Sequence, residues 1–262
     1  MTNSLIDKEK AWLLQEKYNG IPSTEYEHDV ARLVAGEPVD YVIGFSKFLH
    51  CTIDLSERTL IPRTETEYWV SKAIETVTNA SHEGQRLRCL DIFSGSGCIG
   101  IAVLTHIKDV TMDFADIDET AVQQIKKNLE LNGCDAERFR VFQSDVFASI
   151  PEQKYDIIFA NPPYIAHNNE SRVQASVFEH EPHTALFAPD NGLFFIEQLL
   201  IHAPQYLTLG GRMYIEHDDM QKPLIEKILY KYSMQGTYHK DQFGIDRLVE
   251  VTHRRDIESS VR

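Results

Sequence analysis

From Leu87 onward, short apolar runs alternate with amphipathic stretches, and this alternation constrains the fold more than any other feature of the chain. Strands are expected at 88–93, 111–116, 138–143, 155–160, 212–217 and about 245–252. Helices are expected from the SGSG turn to about Ile107, then over about 118–132, 192–207 and 219–233, with a long insert after residue 160. Strand–helix alternation of this kind makes an α/β fold, a mostly parallel sheet with helices on both faces. The last strand arrives after a helix and a loop, and is expected as an antiparallel insertion at the edge.

The first 86 residues follow a different pattern. Residues 5–18 read as an amphipathic helix ended by Asn19-Gly20, and Pro22-Ser23 opens a second one to about Val34. Alternation over Tyr41–Phe48 and Thr52–Leu55 predicts a β-hairpin. Ile61-Pro62-Arg63 is a loop, with Thr64 as the cap of a helix carrying Glu67, Trp69, Val70 and Ile74. The polar stretch 78–86 reads as a linker. The expected organisation is a small helical domain over 1–40, a hairpin and connecting helix over 41–86, the main domain over 87–254 and a tail over 255–262.

Composition narrows the function. A net charge of −14 with no dense basic stripe argues against direct nucleic-acid binding and suits a basic protein partner. No apolar run is long enough for a membrane span and no signal core opens the chain, so the expectation is a cytoplasmic monomer without membrane contact. Cys51, Cys89, Cys98 and Cys134 form no CxxC pair and no histidine stands at zinc spacing, so no metal site is expected. Cys89 and Cys98 flank a glycine turn in an apolar setting and read as buried thiols; although the four could pair as disulfides, nothing implies export.

The turn Asp91-Ile92-Phe93-Ser94-Gly95-Ser96-Gly97 joins the first apolar strand to the first helix. Glycines there let the backbone approach a ligand, and helix N-terminal amides point at it. GSGCIG matches a dinucleotide fingerprint, but Asp91, four residues before the first glycine, is no requirement of that fingerprint. Asp116 ends the second strand, where a carboxylate can accept both ribose hydroxyls. Asp118 reads as a helix cap. Asp145 ends the third strand, placed to accept from an adenine amino group with Val146 on the ring face. Three acids at three successive strand ends beside one glycine turn form an adenosine-binding constellation.

Asn161-Pro162-Pro163-Tyr164 follows the strand YDIIFA. Two prolines cannot continue a ladder, so the chain leaves the sheet as a stiff loop. That loop presents the Asn161 amide and the Pro162 carbonyl to the crevice. A planar –NH2 group has a delocalised lone pair and attacks poorly. Two fixed acceptors can hold its N–H bonds, aim its nitrogen and favour the charge that develops on it, while Tyr164 stacks on the flat group. With the adenosine constellation, this chemistry points to methyl transfer from S-adenosylmethionine, leaving S-adenosylhomocysteine. In methyltransferases an acid at the place of Asp91 supports the loop and the methionine end.

The chain resembles the release factor glutamine methyltransferase family over most of its length. The resemblance rests on Val42-Ile43-Gly44 with Phe48, LIPRTETE (60–67), the DIFSGSGCIG turn, NPPYIA (161–166), EPHTALFAPDNGL (181–193) and GGRMYIEHDDMQ (210–221). It implies a Rossmann-like class I methyltransferase domain with a seven-stranded sheet, and a release factor as partner, methylated on the glutamine of its GGQ motif. It implies cofactor contacts at Phe93 to Gly97, Asp116, Val146 and Asn161, and a substrate amide site at Asn161, Pro162, Pro163 and Tyr164. The chain departs from the family pattern in three places: Phe93 replaces the usual first glycine, Val146 stands where a bulky aromatic is common, and the helical region is short. Arg63 and Glu67 read equally as a loop closing over the cofactor or as an Arg–carboxylate pair at a helix start. His217 reads as structural rather than as a base. NPPY also occurs in amino-methyltransferases of nucleic-acid adenine or guanine, and a non-catalytic binding protein is a third possibility.

Overall fold

The computed structural model describes residues 3–80 and 86–254. Helices α1 (Asn3–Tyr18), α2 (Thr24–Val34) and α3 (Val39–Ile43) enclose a small core of Leu13, Leu33, Val39, Val42 and Ile43. Ser23 caps α2 by accepting the Tyr26 N–H. The expected strand beginning at Tyr41 is a correction: residues 39–43 are helical. Val39, Val42 and Ile43, three and four residues apart, reach that core, and left-handed Gly44 ends the turn at φ 98°.

The hairpin follows as β1 (Phe45–Phe48) and β2 (Cys51–Asp54), paired antiparallel. Helix α4 (Thr64–Ala80) then begins one residue earlier than the cap assignment implied, with Arg63 at the cap position. The Glu67 N–H bonds the Arg63 carbonyl, and the Thr64 hydroxyl donates to Glu65 instead of capping. Helix α4 also runs into the stretch expected as linker; 81–85 and the expected tail 255–262 lie outside the described residues.

The main domain runs β3 (Leu87–Ile92), α5 (Cys98–His106), β4 (Val110–Asp116), α6 (Glu119–Leu131), β5 (Phe139–Gln143) and β6 (Tyr155–Ala160). An insert holds β7 (Ile165–Ala166), α7 (Ala175–His180), β8 (Phe187–Ala188) and the turn α8 (Pro189–Gly192). Then come α9 (Phe194–Tyr206), β9 (Leu207–Glu216), α10 (Lys222–Lys231), β10 (Met234–Lys240) and β11 (Asp246–His253). The seven-stranded sheet has the order β10-β11-β9-β6-β3-β4-β5. Its strands from β9 to β5 are parallel, and β11 is antiparallel to both neighbours. The insertion is thus antiparallel as expected and sits one place in from the rim. The rim strand β10 occupies residues the sequence left to the loop between the last helix and the last strand.

Winding reverses between β3 and β6, so the crevice opens at the carboxyl ends of those two strands. Two apolar clusters cover the faces, one around Trp69, Ile101, Phe114 and Phe159, the other around Leu90, Ile158, Leu200 and Ile215. The hairpin is fastened to α6 by a ladder of amides four residues apart. Gln124, Asn128 and Asn132 accept the backbone N–H groups of Glu57, Asp54 and Thr52 at 2.7–3.0 Å. Asn128 also donates to the Ser96 carbonyl, tying the hairpin to the glycine turn. All four cysteines are free thiols. Among the described residues, no helix is long and apolar enough to cross a membrane.

Candidate active site

A cavity of about 330 Å³ lies over the ends of β3, β4 and β6. Of the residues expected to hold the cofactor, Phe93, Ser94, Gly95, Ser96, Asp116, Asp145, Val146 and Asn161 line it, and Pro163 joins them. Asp91 and Gly97 do not. Asp91 is sealed beneath the turn, where its Oδ2 accepts the Gly100 N–H at 2.9 Å and its Oδ1 has no partner. Burial raises its pKa well above the carboxylate range. It braces the loop from beneath, out of reach of the cavity wall.

Asp116 braces the turn from the other side. Its Oδ2 accepts the Gly95 N–H at 2.8 Å and its Oδ1 the Asp118 N–H at 3.0 Å. Each carboxylate oxygen keeps a further acceptor site, available to a diol in the cavity. Asp118 caps α6 through the Thr120 N–H, as its position predicts. Phe93 takes the left-handed φ of 60° that a glycine would adopt freely, and its ring meets Phe195 edge-on at 5.3 Å. Val146 is likewise left-handed, at φ 47°.

Asn161 lines both this cavity and a smaller one of about 110 Å³ that also touches Tyr164 and Glu216. Among the described residues its side-chain amide makes no hydrogen bond. Tyr164 separates the small cavity from a third, of about 500 Å³, lined by Arg172, Asp218, Gln221 and Arg247. Its hydroxyl donates to Glu216 at 3.1 Å, and burial raises its pKa. Pro162 is buried and lines none of the three.

The structure decides the two residues left open. Arg63 pairs with Glu181 at 2.6 Å, and Glu181 also accepts the Ile61 N–H at 3.1 Å. Residues 59–63 and 182–185 therefore meet over the large cavity, stitched by one buried carboxylate. The Glu67 carboxylate does not pair with the Arg63 guanidinium but accepts the Leu49 N–H. Phe194, Phe195, Ile117 and Thr184 also line the cavity and were not foreseen. Ile117 directly follows Asp116, and its 58% exposure was the one available signal, visible only in three dimensions.

His217 is fully buried and lines no cavity. Its Nδ1 donates to the Asp218 carbonyl at 2.9 Å, leaving Nε2 as a bare acceptor without a partner. Burial holds its pKa below 6.5, with the Asp218 bond opposing. Just below that value the unfolded chain binds more protons than the folded one. Stability from the neutral ring is thus present above the unfolded pKa and lost as pH falls. His217→Gln cannot titrate, so the wild-type melting temperature should fall more than the variant's between about pH 7.5 and about pH 5. Parallel pH curves in calorimetry would refute this.

A family model described as the methyltransferase small domain matches residues 74–196. The chain is 33% identical over 93% of its length to the release factor glutamine methyltransferase of Streptococcus pneumoniae, covering 85% of that protein. It is 31% identical over 91% of its length to the protein of the same name from Flavobacterium psychrophilum, covering 83% of it. Among solved structures, a methyltransferase from Pyrococcus furiosus superposes with a TM-score of 0.57 at 16% identity, over 84% of this chain and 95% of that one. The last comparison speaks to the fold.

Proposed function

The chain belongs to the release factor glutamine methyltransferase family, and from that premise we propose that it methylates the side-chain amide nitrogen of the GGQ glutamine in a peptide-chain release factor. The methyl donor in this reading is S-adenosylmethionine, whose sulfonium supplies an electrophilic methyl group. The carrying observation is Asn161, a side-chain amide free of internal hydrogen bonds at the junction of the large and small cavities.

The residues suit that donor. Asp116 offers carboxylate oxygens to the ribose hydroxyls, and Asp145, exposed at the cavity wall, offers an acceptor to the adenine amino group. Ile117, Val146 and Phe194 supply apolar surface for the base, Ile117 and Phe194 standing in for the bulky aromatic absent at 146. On the acceptor side, the Asn161 Oδ1, at the junction of the two cavities, takes an N–H bond of the glutamine amide, whereas Pro162, expected as the second acceptor, is buried and reaches neither cavity. An acceptor on a stiff loop restricts the nitrogen's approach and stabilises the positive charge it gains as the new N–C bond forms. The departing N–H proton is acidic once the methyl has moved, so no strong base is needed beforehand.

The nucleic-acid alternative requires a basic rim. The arginines along these cavities are each beside an acid: Arg63 by Glu181 at 2.6 Å, Arg172 by Asp218 at 3.8 Å and Arg247 by Asp241 at 3.6 Å. That balance disfavours a phosphate backbone. The test is mass spectrometry of the GGQ peptide of a release factor after incubation with protein and cofactor. One added methyl on the glutamine is expected. An unmodified peptide alongside methylated adenine or guanine would transfer the assignment to nucleic acid, and bound cofactor with no transfer to either would leave a binding protein.

Asp116→Ala removes a charge-assisted contact and one brace of the turn. Cofactor affinity measured by calorimetry should drop by about 10–100-fold, the equivalent of one charged hydrogen bond. Unchanged binding would contradict the ribose assignment.

A further inference from the structure

We propose that the segment from Glu216, the last residue of β9, to Gln221 is the positioning device for the Asn161–Tyr164 loop, gripping Tyr164 at its hydroxyl and at its carbonyl. The proposal rests on the assignment of that loop to the substrate amide.

Glu216 is 1% exposed and makes no salt bridge; it is held by three neutral donors. Its Oε2 accepts from the Thr66 hydroxyl and the Trp69 indole N–H, both at 2.7 Å, and its Oε1 accepts from Tyr164. Burying a carboxylate is costly, and an apolar residue would fill the same space without that cost. What the carboxylate adds is direction: it joins α4 to the Tyr164 phenol.

Gln221 holds the other end. Its Nε2 donates to the Tyr164 carbonyl at 2.9 Å and to the Asn191 carbonyl at 3.0 Å. Its Oε1 accepts the Asp218 N–H, so the side chain is itself fixed by the capping box. The left-handed turn α8, with φ of 53° at Asp190, 57° at Asn191 and 80° at Gly192, brings the Asn191 carbonyl to this point. Tyr164 lies three residues from Asn161 across two prolines. Such a link has few soft dihedrals, so anchoring Tyr164 restrains Asn161.

None of Glu216, Gln221 and Tyr164 lines the large cavity, which separates this role from cofactor binding. The test measures kcat for GGQ-peptide methylation and the cofactor Kd by calorimetry in Gln221→Met and Glu216→Met, which keep side-chain volume and lose the polar contacts. A displacement of about 1 Å at a reacting group costs roughly 100-fold, so kcat should fall about 10–100-fold with the cofactor Kd within about twofold. Glu216→Gln, which keeps a polar edge against the same groups, should recover most of the loss. Wild-type kcat in both Met variants, or affinity lost in step with kcat, overturns the proposal. If those variants do not fold, Tyr164→Phe deletes only the hydroxyl that Glu216 holds, and wild-type turnover there overturns it. A wild-type protein that leaves the GGQ peptide unmethylated refutes the substrate instead. Crystal structures of the variants then decide the positioning claim, a shifted Tyr164 supporting it and an unmoved one overturning it.

Discussion

Asn161→Ala should reduce methyl transfer by roughly 10²–10³-fold, the loss that accompanies removal of one preorganised group at a centre of developing charge. The side chain touches both cavities but makes no internal hydrogen bond, so its removal leaves the loop's own supports intact. Cofactor affinity should stay within about threefold, less than about 1 kcal/mol. Single-turnover kinetics with labelled cofactor, beside calorimetry, separate the two quantities. Retained turnover would remove Asn161 from the mechanism, and a parallel loss of binding would make it a cofactor residue.

Gly192→Ala should be the most damaging change to the fold around the site. A Cβ there would stand 1.9 Å from the Tyr164 carbonyl oxygen and 2.6 Å from the Gln221 Nε2, on a backbone with φ of +80°. A left-handed alanine and a clash against main chain together should cost about 2–5 kcal/mol. Denaturant unfolding measures the cost, and whatever folds should have lost turnover because the Tyr164 carbonyl must move. Gly210→Ala is the control: nothing lies within 4 Å of its Cβ. Equal stability of the two variants would show that the contact at Gly192 relaxes freely.

The contrast between what the sequence disclosed and what it hid has physical causes. Strands β3, β4 and β6 are buried on both faces, so they stand out as apolar runs, and the turn and NPPY follow their ends directly. Strand β10, MQGTYHK, is polar, carries Gly236 and buries only Met234 fully, so nothing in its composition marked it. The strand expected from Tyr41 overlaps the end of helix α3 because its β-branched Val42 and Ile43 suit either element; Val39, Val42 and Ile43 are held in the helical turn by packing with Leu13 of α1 and Leu33 of α2. In the site, the residues adjacent in sequence to strand ends were found. Those that act across the chain were not: Glu181 is 118 residues from Arg63, and Glu216 is 150 from Thr66. Their motifs were visible as family resemblance, but pairing between distant segments is set by topology.

The placement of β11 has a consequence for biosynthesis. This strand, last in chain order among the described residues, is the one neighbour there through which β10 joins the sheet, and it covers the open flank of β9. Until His253 has cleared the ribosome, the nascent polypeptide carries an unfinished sheet with a bare, hydrogen-bond-hungry edge. A premature stop before residue 246 would therefore yield aggregation-prone chains in place of a shortened catalyst.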